Sequence, residues 1–263
     1  GTRDAVRATR HNRQYLDKGL IARKCAAARD FVGHIRNTSP NLLSTVLGWS
    51  LANEVSVRFD QGPFSFSKGT WTGPTGKRFD MAKPQERRAA YDDAIVFWAN
   101  KLTVAIKAED PDALLTAGIW TADAHGRSSD NGLIPDSKDP RIPPRPSVLG
   151  GCACQLDFLD VHIYPWGGTS KVRREAHQRD AVLASGTPAI VGEYGVFKRN
   201  TVEEARTMLI DMLAQAYTMG YRGDLYWIWD LRHVPGQTWS AVEHDLGAHV
   251  MEWEPALNKG DAP

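Results

Sequence analysis

The order of hydrophobic patterns along the chain predicts an α/β fold with a parallel sheet. Apolar runs of strand length alternate with segments of helical periodicity, and the runs cover 42–49, 113–119, 158–164, 189–192 and 225–229. Strands that alternate with crossover helices pair in parallel, and near-continuous apolar runs are typical of strands buried on both faces. We expect residues 1–263 to form one domain, since a chain of 263 residues can bury a single large core.

Four helices are predicted around these strands. Apolar side chains recur at helical spacing over 20–35, and Asn37 to Pro40 ends that helix. Pro84 opens the second helix, which ends at Asp110-Pro111. The third is predicted over 169–183, and a capping box of Thr201 and Glu204 opens the fourth, which runs through Met219.

Two long segments between these elements are predicted as loops. Residues 56–82 contain many glycines and prolines together with five aromatic residues, Phe59, Phe64, Phe66, Trp71 and Phe79. That composition is too aromatic for a linker and favours a loop that faces a substrate, with its aromatic rings divided between packing and substrate contact. Residues 121–151 are polar and rich in proline, which predicts a loop with one short helix.

Composition and charge exclude several classes of partner. The 32 Lys and Arg residues balance 31 Asp and Glu residues, and no basic block of the kind that binds phosphate backbones occurs, so we expect no nucleic acid partner. No run of about 18 uncharged apolar residues is present, so no membrane span is predicted. The three cysteines are too few for a disulfide scaffold. The opening residues Gly1 to Asp4 have neither an initiator Met nor an apolar signal core, which indicates a cropped or processed start.

Two acidic motifs each close a predicted strand. The first runs from Trp49 to Glu54 and the second from Ile190 to Gly195 with Glu193 inside it. The carboxyl ends of parallel strands meet at one face of a barrel, so Glu54 and Glu193 are expected to converge there. Two carboxylates brought together in this way favour paired acid and nucleophile chemistry on a glycosidic bond.

The two motifs resemble those of the clan A glycoside hydrolases, the (β/α)8 retaining enzymes, and most of all the cellulase and mannanase family numbered five. In that clan the acid/base glutamate follows an asparagine at the end of the fourth strand, which Asn53-Glu54 matches. The nucleophilic glutamate ends the seventh strand, which Glu193 matches. The resemblance spans roughly residues 15 to 230 in order and spacing.

Further positions match the same family. Its sixth strand carries a His-x-Tyr, matched by His162 and Tyr164, and its eighth strand carries an aromatic platform, matched by Trp227 or Trp229. Period-two alternation would put both tryptophans on one face of a strand. The resemblance implies that Asn53 hydrogen-bonds the sugar 2-hydroxyl.

The resemblance also implies a TIM-type (β/α)8 barrel from which the first three strands are absent. Only five strands and one preceding helix are visible, and the arginine and histidine of the family's early strands have no counterpart. We therefore expect either a missing N-terminal segment or a partner chain that completes the barrel. The implied substrate is an oligo- or polysaccharide with β-linkages, with no metal and no organic cofactor. Secretion is compatible with such a substrate, but no leader indicates it.

The residue types themselves suggest how the site would work. Proximity to Glu193 and partial burial should keep Glu54 protonated, whereas a hydrogen bond from Tyr164 should help to keep Glu193 ionised. His162 could tie this network to Tyr164 or to the substrate. His125 follows the strand that ends at Ile119, so it either lines a subsite or is a solvated loop histidine.

Two other functions fit parts of the sequence. A carbohydrate-binding or assembly protein without turnover would explain an incomplete barrel, although both motif glutamates are intact. A metal-dependent barrel hydrolase would use Asp123, His125, Asp160 and His162, although no His-x-His or bridging lysine stands at a strand end. Sugar identity, linkage, endo or exo action and oligomeric state stay open.

Overall fold

The computed structural model describes residues 6–120, 123–125, 138–164, 186–229 and 238–251. The helices are α1 (Arg13–Leu16), α2 (Lys18–Thr38), α3 (Pro40–Leu43), α4 (Pro84–Lys107), α5 (Pro146–Leu149) and α6 (Val202–Met219). The strands are β1 (Trp49–Ser50), β2 (Val57–Arg58), β3 (Thr70–Thr72), β4 (Arg78–Asp80), β5 (Leu115–Thr116), β6 (Gly118–Trp120), β7 (Arg141–Ile142), β8 (Leu159–Ile163), β9 (Ala189–Tyr194) and β10 (Asp224–Tyr226).

A parallel sheet forms the centre of the fold. Strand β1 pairs with β5, and β6, β8, β9 and β10 pair in that order, all in parallel. Only Ala117 separates β5 from β6, so the two act as one strand, and the sheet follows the chain order of a barrel. Within the described ranges, no further strand pairs with the outer edges of β1 and β10. The predicted parallel α/β sheet is confirmed as an open, five-stranded part of a barrel.

The long helices follow the sequence patterns. Helices α2, α4 and α6 lie where three of the four helices were predicted, and the capping box of Thr201 and Glu204 is present at the start of α6. The hydroxyl of Thr201 accepts a hydrogen bond from the amide of Glu204 at 3.2 Å. The helix predicted over 169–183 lies outside the described residues. No helix in the described part of the chain is long and apolar enough to cross a membrane.

The first strand is much shorter than predicted. The apolar run 42–49 begins inside helix α3, which Pro40 opens, and only Trp49 joins β1. Leu42 and Leu47 are 55% and 77% exposed, so this run does not mark a strand buried on both faces. The prediction failed because the same apolar residues suit a short helix that starts at a proline.

The aromatic segment 56–82 is mostly structural. It contains β2, which pairs antiparallel with β7, and the antiparallel hairpin of β3 and β4. Phe64, Trp71 and Phe79 are buried, and the rings of Trp71 and Phe79 stack with centroids 6.1 Å apart. The prediction of a substrate-facing loop is therefore wrong for these three rings, because they belong to the hydrophobic core, where Phe64 packs against Tyr91 of α4.

Helix α4 provides the largest buried side chains of the core. Tyr91, Ile95 and Trp98 are fully buried, and Tyr15 packs edge-on against Trp98 at a centroid distance of 5.2 Å. The hydroxyl of Tyr91 donates a hydrogen bond to the carbonyl of Ile142 at 3.1 Å, which ties α4 to β7. These contacts fix the segments that surround one end of the sheet.

We expect Leu102→Ala in α4 to lower the free energy of unfolding by about 2 to 5 kcal/mol, because Leu102 is buried and its truncation leaves a cavity. Val104→Ala on the exposed face of the same helix is the control and should change it by less than about 0.5 kcal/mol. Chemical denaturation of both variants measures the difference. Equal losses would contradict the assigned packing of α4.

Candidate active site

Glu54 projects from a short excursion of the chain that is pinned on both sides to β6. The amide of Gly118 donates to the carbonyl of Ala52 at 3.0 Å, and the carbonyl of Gly118 accepts from the amide of Val55 at 2.8 Å. Between these anchors, Glu54 has a φ of 48°, which is uncommon for a residue with a side chain. Glu54 thus lies in a loop after β1, and the prediction that it closes a strand holds only approximately.

Glu193 is the penultimate residue of β9, as the sequence predicted. Its Cα is the register partner of His162 in β8, so the two side chains lie next to each other across neighbouring strands. The hydroxyl of Tyr164, just past β8, donates a hydrogen bond to Glu193 Oε2 at 2.8 Å. The carboxylate of Glu193 is therefore held by the neighbouring strand.

The two glutamates converge on the imidazole of His162. Its Nδ1 lies 3.4 Å from Glu54 Oε1 and 3.2 Å from Glu193 Oε2. One oxygen of each glutamate and one ring nitrogen of His162 all lie within 4.8 Å of one another. Residues far apart in the sequence thus meet because the carboxyl ends of the parallel strands lie along one edge of the sheet.

The environments of the two carboxylates differ. The side chain of Glu54 is 27% exposed and that of Glu193 is 13% exposed. Burial raises the pKa of Glu193, although the charge of His162 and the hydrogen bond from Tyr164 act in the opposite direction. Tyr164 therefore acts on Glu193 in the predicted direction, but burial outweighs it. Burial and the charge of Glu193 also raise the pKa of Tyr164.

His162 is itself surrounded by carboxylates. Burial disfavours its charged form, but the carboxylates of Asp160, Glu54 and Glu193 outweigh this effect and raise the pKa of His162 to about 9. His162 is almost fully buried. The carboxylates around it therefore favour the protonated form of the imidazole.

Trp120 forms an aromatic wall beside this cluster and was not singled out by the sequence analysis. Its ring lies 6.2 Å from that of His162 and 5.6 Å from that of Tyr164 between centroids.

The guanidinium of Arg141 lies 6.0 Å from the Trp120 ring and forms a salt bridge with Asp139 at 2.8 Å. Asp139 raises the pKa of Arg141, and the charge of Glu54 adds to this effect. Trp120 could have been found because it directly follows the strand predicted over 113–119, whereas Arg141 carried no signal within its loop.

His125 and Asn53 occupy different positions relative to the cluster. His125 is buried, with Nδ1 3.3 Å from Asp139 Oδ2 and its ring 5.7 Å from that of Trp120. It therefore packs against Trp120 and is not a solvated loop histidine. Asn53 is exposed next to Glu54.

The two candidate platform tryptophans follow β10 and do not belong to it. The strand ends at Tyr226, so the predicted alternation along a strand does not apply to Trp227 and Trp229. The amide of Trp227 donates to the carbonyl of Tyr194 at 2.7 Å, which anchors Trp227 beside the end of β9. Trp227 and Trp229 are 42% and 67% exposed. A Cβ built on Gly247 would lie 3.3 Å from Trp229 Cζ3, so the indole of Trp229 lies towards that segment.

The described residues of the metal hypothesis do not assemble as one group. His125 pairs with Asp139, whereas His162 Nε2 lies 3.5 Å from Asp160 Oδ1. The side chain of Asp123 lies outside the described part of the chain. Among the described residues, the only group of histidine and acidic side chains compact enough for a cation is Glu54, His162 and Glu193.

Solved structures share this fold, whereas no protein-family model and no curated protein matches the chain. The endo-β-1,4-mannanase from Thermotoga petrophila aligns at 17% identity and a TM-score of 0.61, over 96% of this chain and 53% of its own. An endo-1,4-β-mannanase from Rhizomucor miehei aligns at 18% identity and a TM-score of 0.61, over 95% and 65%. A GH5_18 protein from Streptomyces cattleya in complex with GlcNAc aligns at 13% identity and a TM-score of 0.58, over 94% and 56%.

These alignments identify the architecture. The chain has the fold of the (β/α)8 barrels of family five glycoside hydrolases. It spans between about half and two thirds of the length of these three solved chains. The open five-stranded sheet thus corresponds to part of such a barrel.

We expect Gly118→Ala to disturb the cluster directly. A Cβ at Gly118 would lie 2.8 Å from His162 Nε2 and 3.3 Å from the amide nitrogen of Glu54, so both residues would have to shift. Gly223→Ala is the matched control, because its Cβ would meet only Ile190 Cγ2 at 3.9 Å. Thermal unfolding should show a loss of stability for Gly118→Ala of about 1 to 3 kcal/mol and little change for Gly223→Ala. A neutral effect of Gly118→Ala would contradict the close approach.

Proposed function

We propose that the protein is a retaining β-glycosidase that hydrolyses a β-linked glycan through two glutamates. The observation that carries the proposal is that one carboxylate oxygen of Glu54 lies within 4.8 Å of one carboxylate oxygen of Glu193, with His162 beside both. Retaining enzymes place their two carboxyl groups about 5 to 5.5 Å apart, whereas inverting enzymes need about 6.5 to 9.5 Å to admit a water. The separation supports the retaining mechanism.

The proposed reaction has two steps. Glu193 attacks the anomeric carbon while the protonated Glu54 transfers its proton to the departing oxygen, and a glycosyl ester forms on Glu193. Glu54 then accepts a proton from a water that attacks the anomeric carbon and releases the sugar. The greater exposure of Glu54 suits the residue that must exchange protons with the leaving group and with water. The pairing of Tyr164 with Glu193 supports the nucleophile assignment, because it orients the attacking carboxylate.

The remaining predicted residues receive supporting roles in this proposal. Trp227 is the better platform for a sugar ring, since its backbone is anchored at the end of β9 beside Glu193, whereas Trp229 lies towards Gly247. Asn53 is exposed next to Glu54, where a side-chain amide could meet the sugar 2-hydroxyl. His125 would help to hold Trp120 in place, because the two rings pack against each other. This chemistry needs no metal and no organic cofactor.

The substrate class follows from the same comparison. Two solved relatives in fold are endo-mannanases and a third was solved with GlcNAc, so we propose an oligo- or polysaccharide substrate. We also propose that residues 1–263 belong to one barrel domain, with the free edges of β1 and β10 closed by further βα units from a missing segment or a partner chain. Closure would pair the outer edges of β1 and β10, which no strand of the described ranges covers, and proteins rarely leave such edges unprotected.

The nucleophile assignment predicts that Glu193→Gln stops turnover. The amide cannot form the glycosyl ester, so kcat on an aryl β-glycoside should fall at least about a thousandfold while the circular dichroism spectrum is unchanged. Glu203→Gln makes the same chemical change at a side chain that is 80% exposed on α6, and it should leave activity unchanged. Near-normal turnover by Glu193→Gln would refute the assignment. Failure of the wild-type protein on all glycosides that it binds would favour a carbohydrate-binding protein.

The acid/base assignment predicts a different defect for Glu54→Ala. With an activated aryl leaving group the first step needs little acid catalysis, so the loss of about 10²- to 10⁴-fold should fall on hydrolysis of the glycosyl ester. The ester should then accumulate as a mass increase of one glycosyl unit, and azide should restore turnover by forming a β-glycosyl azide. Glu203→Ala serves as the control. Absence of both accumulation and azide rescue would remove Glu54 from this role.

A further inference from the structure

A third carboxylate lies behind the pair of glutamates and has no part in the reaction described above. Asp160 precedes His162 by two residues in β8, so both side chains lie on one face of the strand. Asp160 Oδ1 is 3.5 Å from His162 Nε2, and the two side chains are 13% and 3% exposed. This distance is long for a hydrogen bond, so the contact acts mainly through charge.

Two glycines on the neighbouring strands make room for this pair. A Cβ at Gly192 in β9 would lie 1.6 Å from Asp160 Oδ1. A Cβ at Gly118 in β6 would lie 2.8 Å from His162 Nε2. Neither glycine has a positive φ, so both are required by space and not by backbone conformation. The flanking strands are therefore built around the Asp160 and His162 side chains.

The positions of the carboxylates determine which form of the imidazole fits. A neutral imidazole donates from one ring nitrogen and presents a lone pair at the other. Here Nδ1 faces Glu54 and Glu193, and Nε2 faces Asp160. A neutral imidazole protonated at Nδ1 would direct its Nε2 lone pair at Asp160 Oδ1, and one protonated at Nε2 would direct its Nδ1 lone pair at Glu193 Oε2. Only the doubly protonated imidazolium presents a donor to the carboxylates on both sides.

We propose that Asp160 is a positioning residue that holds His162 as an imidazolium bridging Glu54 and Glu193. The charge state can be measured without any substrate. The role of Asp160 in turnover rests on the proposed glycosidase function.

The bridge is suited to a reaction in which negative charge changes place. As Glu193 forms its bond to the anomeric carbon, its carboxylate becomes a neutral ester and the bond to the leaving oxygen breaks. The leaving oxygen takes the proton of Glu54, which becomes the carboxylate. His162 Nδ1 lies 3.2 Å from Glu193 Oε2 and 3.4 Å from Glu54 Oε1, so the same cation meets the negative charge before and after this step.

Other groups around His162 come from every neighbouring element. Strand β6 contributes the uncharged ring of Trp120, and the residue after β8 contributes the hydroxyl of Tyr164. Arg141 of β7 lies against Trp120 and acts on Glu54 by its charge, while it is itself paired with Asp139. Of the described residues, the charged groups recorded within 4.0 Å of His162 are Glu54, Asp160 and Glu193.

The test is a titration of the His162 imidazole by NMR in the full chain. The chain has eight histidines, so the His162 signal is assigned by its loss in His162→Gln. The wild-type pKa should be about 9, and Asp160→Asn should lower the midpoint by about 1 to 3 units because a nearby opposite charge is removed. Asp30→Asn on the exposed face of α2 is the matched control and should leave the midpoint unchanged.

Three results would overturn the proposal: a wild-type midpoint near the ordinary histidine value, a midpoint that is unchanged in folded Asp160→Asn, or one that rises there. If the Asp160→Asn protein does not fold, the measurement is repeated with Asp160→Ser, which has a smaller side chain. If neither variant folds, the wild-type midpoint alone tests the proposal. With an aryl glycoside, Asp160→Asn should lower kcat and leave KM nearly unchanged, because Asp160 lies behind His162. A wild-type protein that titrates as expected but hydrolyses no glycoside would refute the glycosidase function and leave the charge assignment in place.

Discussion

The imidazole of His162 stands between the carboxylates of Glu54 and Glu193, and the rest of the site is arranged around that contact. A buried cation is costly unless groups of opposite charge surround it, and two half-buried carboxyl groups close to each other are stabilised by a cation that contacts both. Each group therefore depends on the others. The arrangement of the strands brings His162 into contact with both glutamates, so that opposite charges lie next to each other.

The parallel sheet supplies the geometry for this balance. Register pairs His162 with Glu193 across β8 and β9, and the hydrogen bonds of Gly118 hold the excursion that carries Glu54. Glycines at 118 and 192 let the neighbouring strands pass close to His162 and Asp160. Backbone hydrogen bonds and the absence of a Cβ at the two glycines thus determine where the charged groups lie. Helix α4 and the buried aromatic residues of 56–82 form the hydrophobic core around them.

Much of this architecture could be predicted from local patterns. Apolar periodicity and end signals identified α2, α4 and α6, and the alternation of elements identified the parallel sheet. The strand predicted over 42–49 failed because an apolar run with a proline at its start also suits a short helix, and periodicity cannot distinguish the two. The rings of Trp71 and Phe79 were assigned to a loop because glycines and prolines obscure a hairpin whose apolar face packs inward.

The sequence by itself predicted the fold class and singled out Glu54, Glu193, His162 and Tyr164 as candidate site residues, since the order of short motifs along the chain can be recognised without the fold. The tertiary structure alone decided that His162 contacts both glutamates, that Trp120 and Arg141 flank them, and that Asp160 lies behind the imidazole. These relations join residues from different strands, and their distances depend on register and on space left by Gly118 and Gly192. No pattern along one segment records the distance to another, because that distance is fixed only when the strands pair.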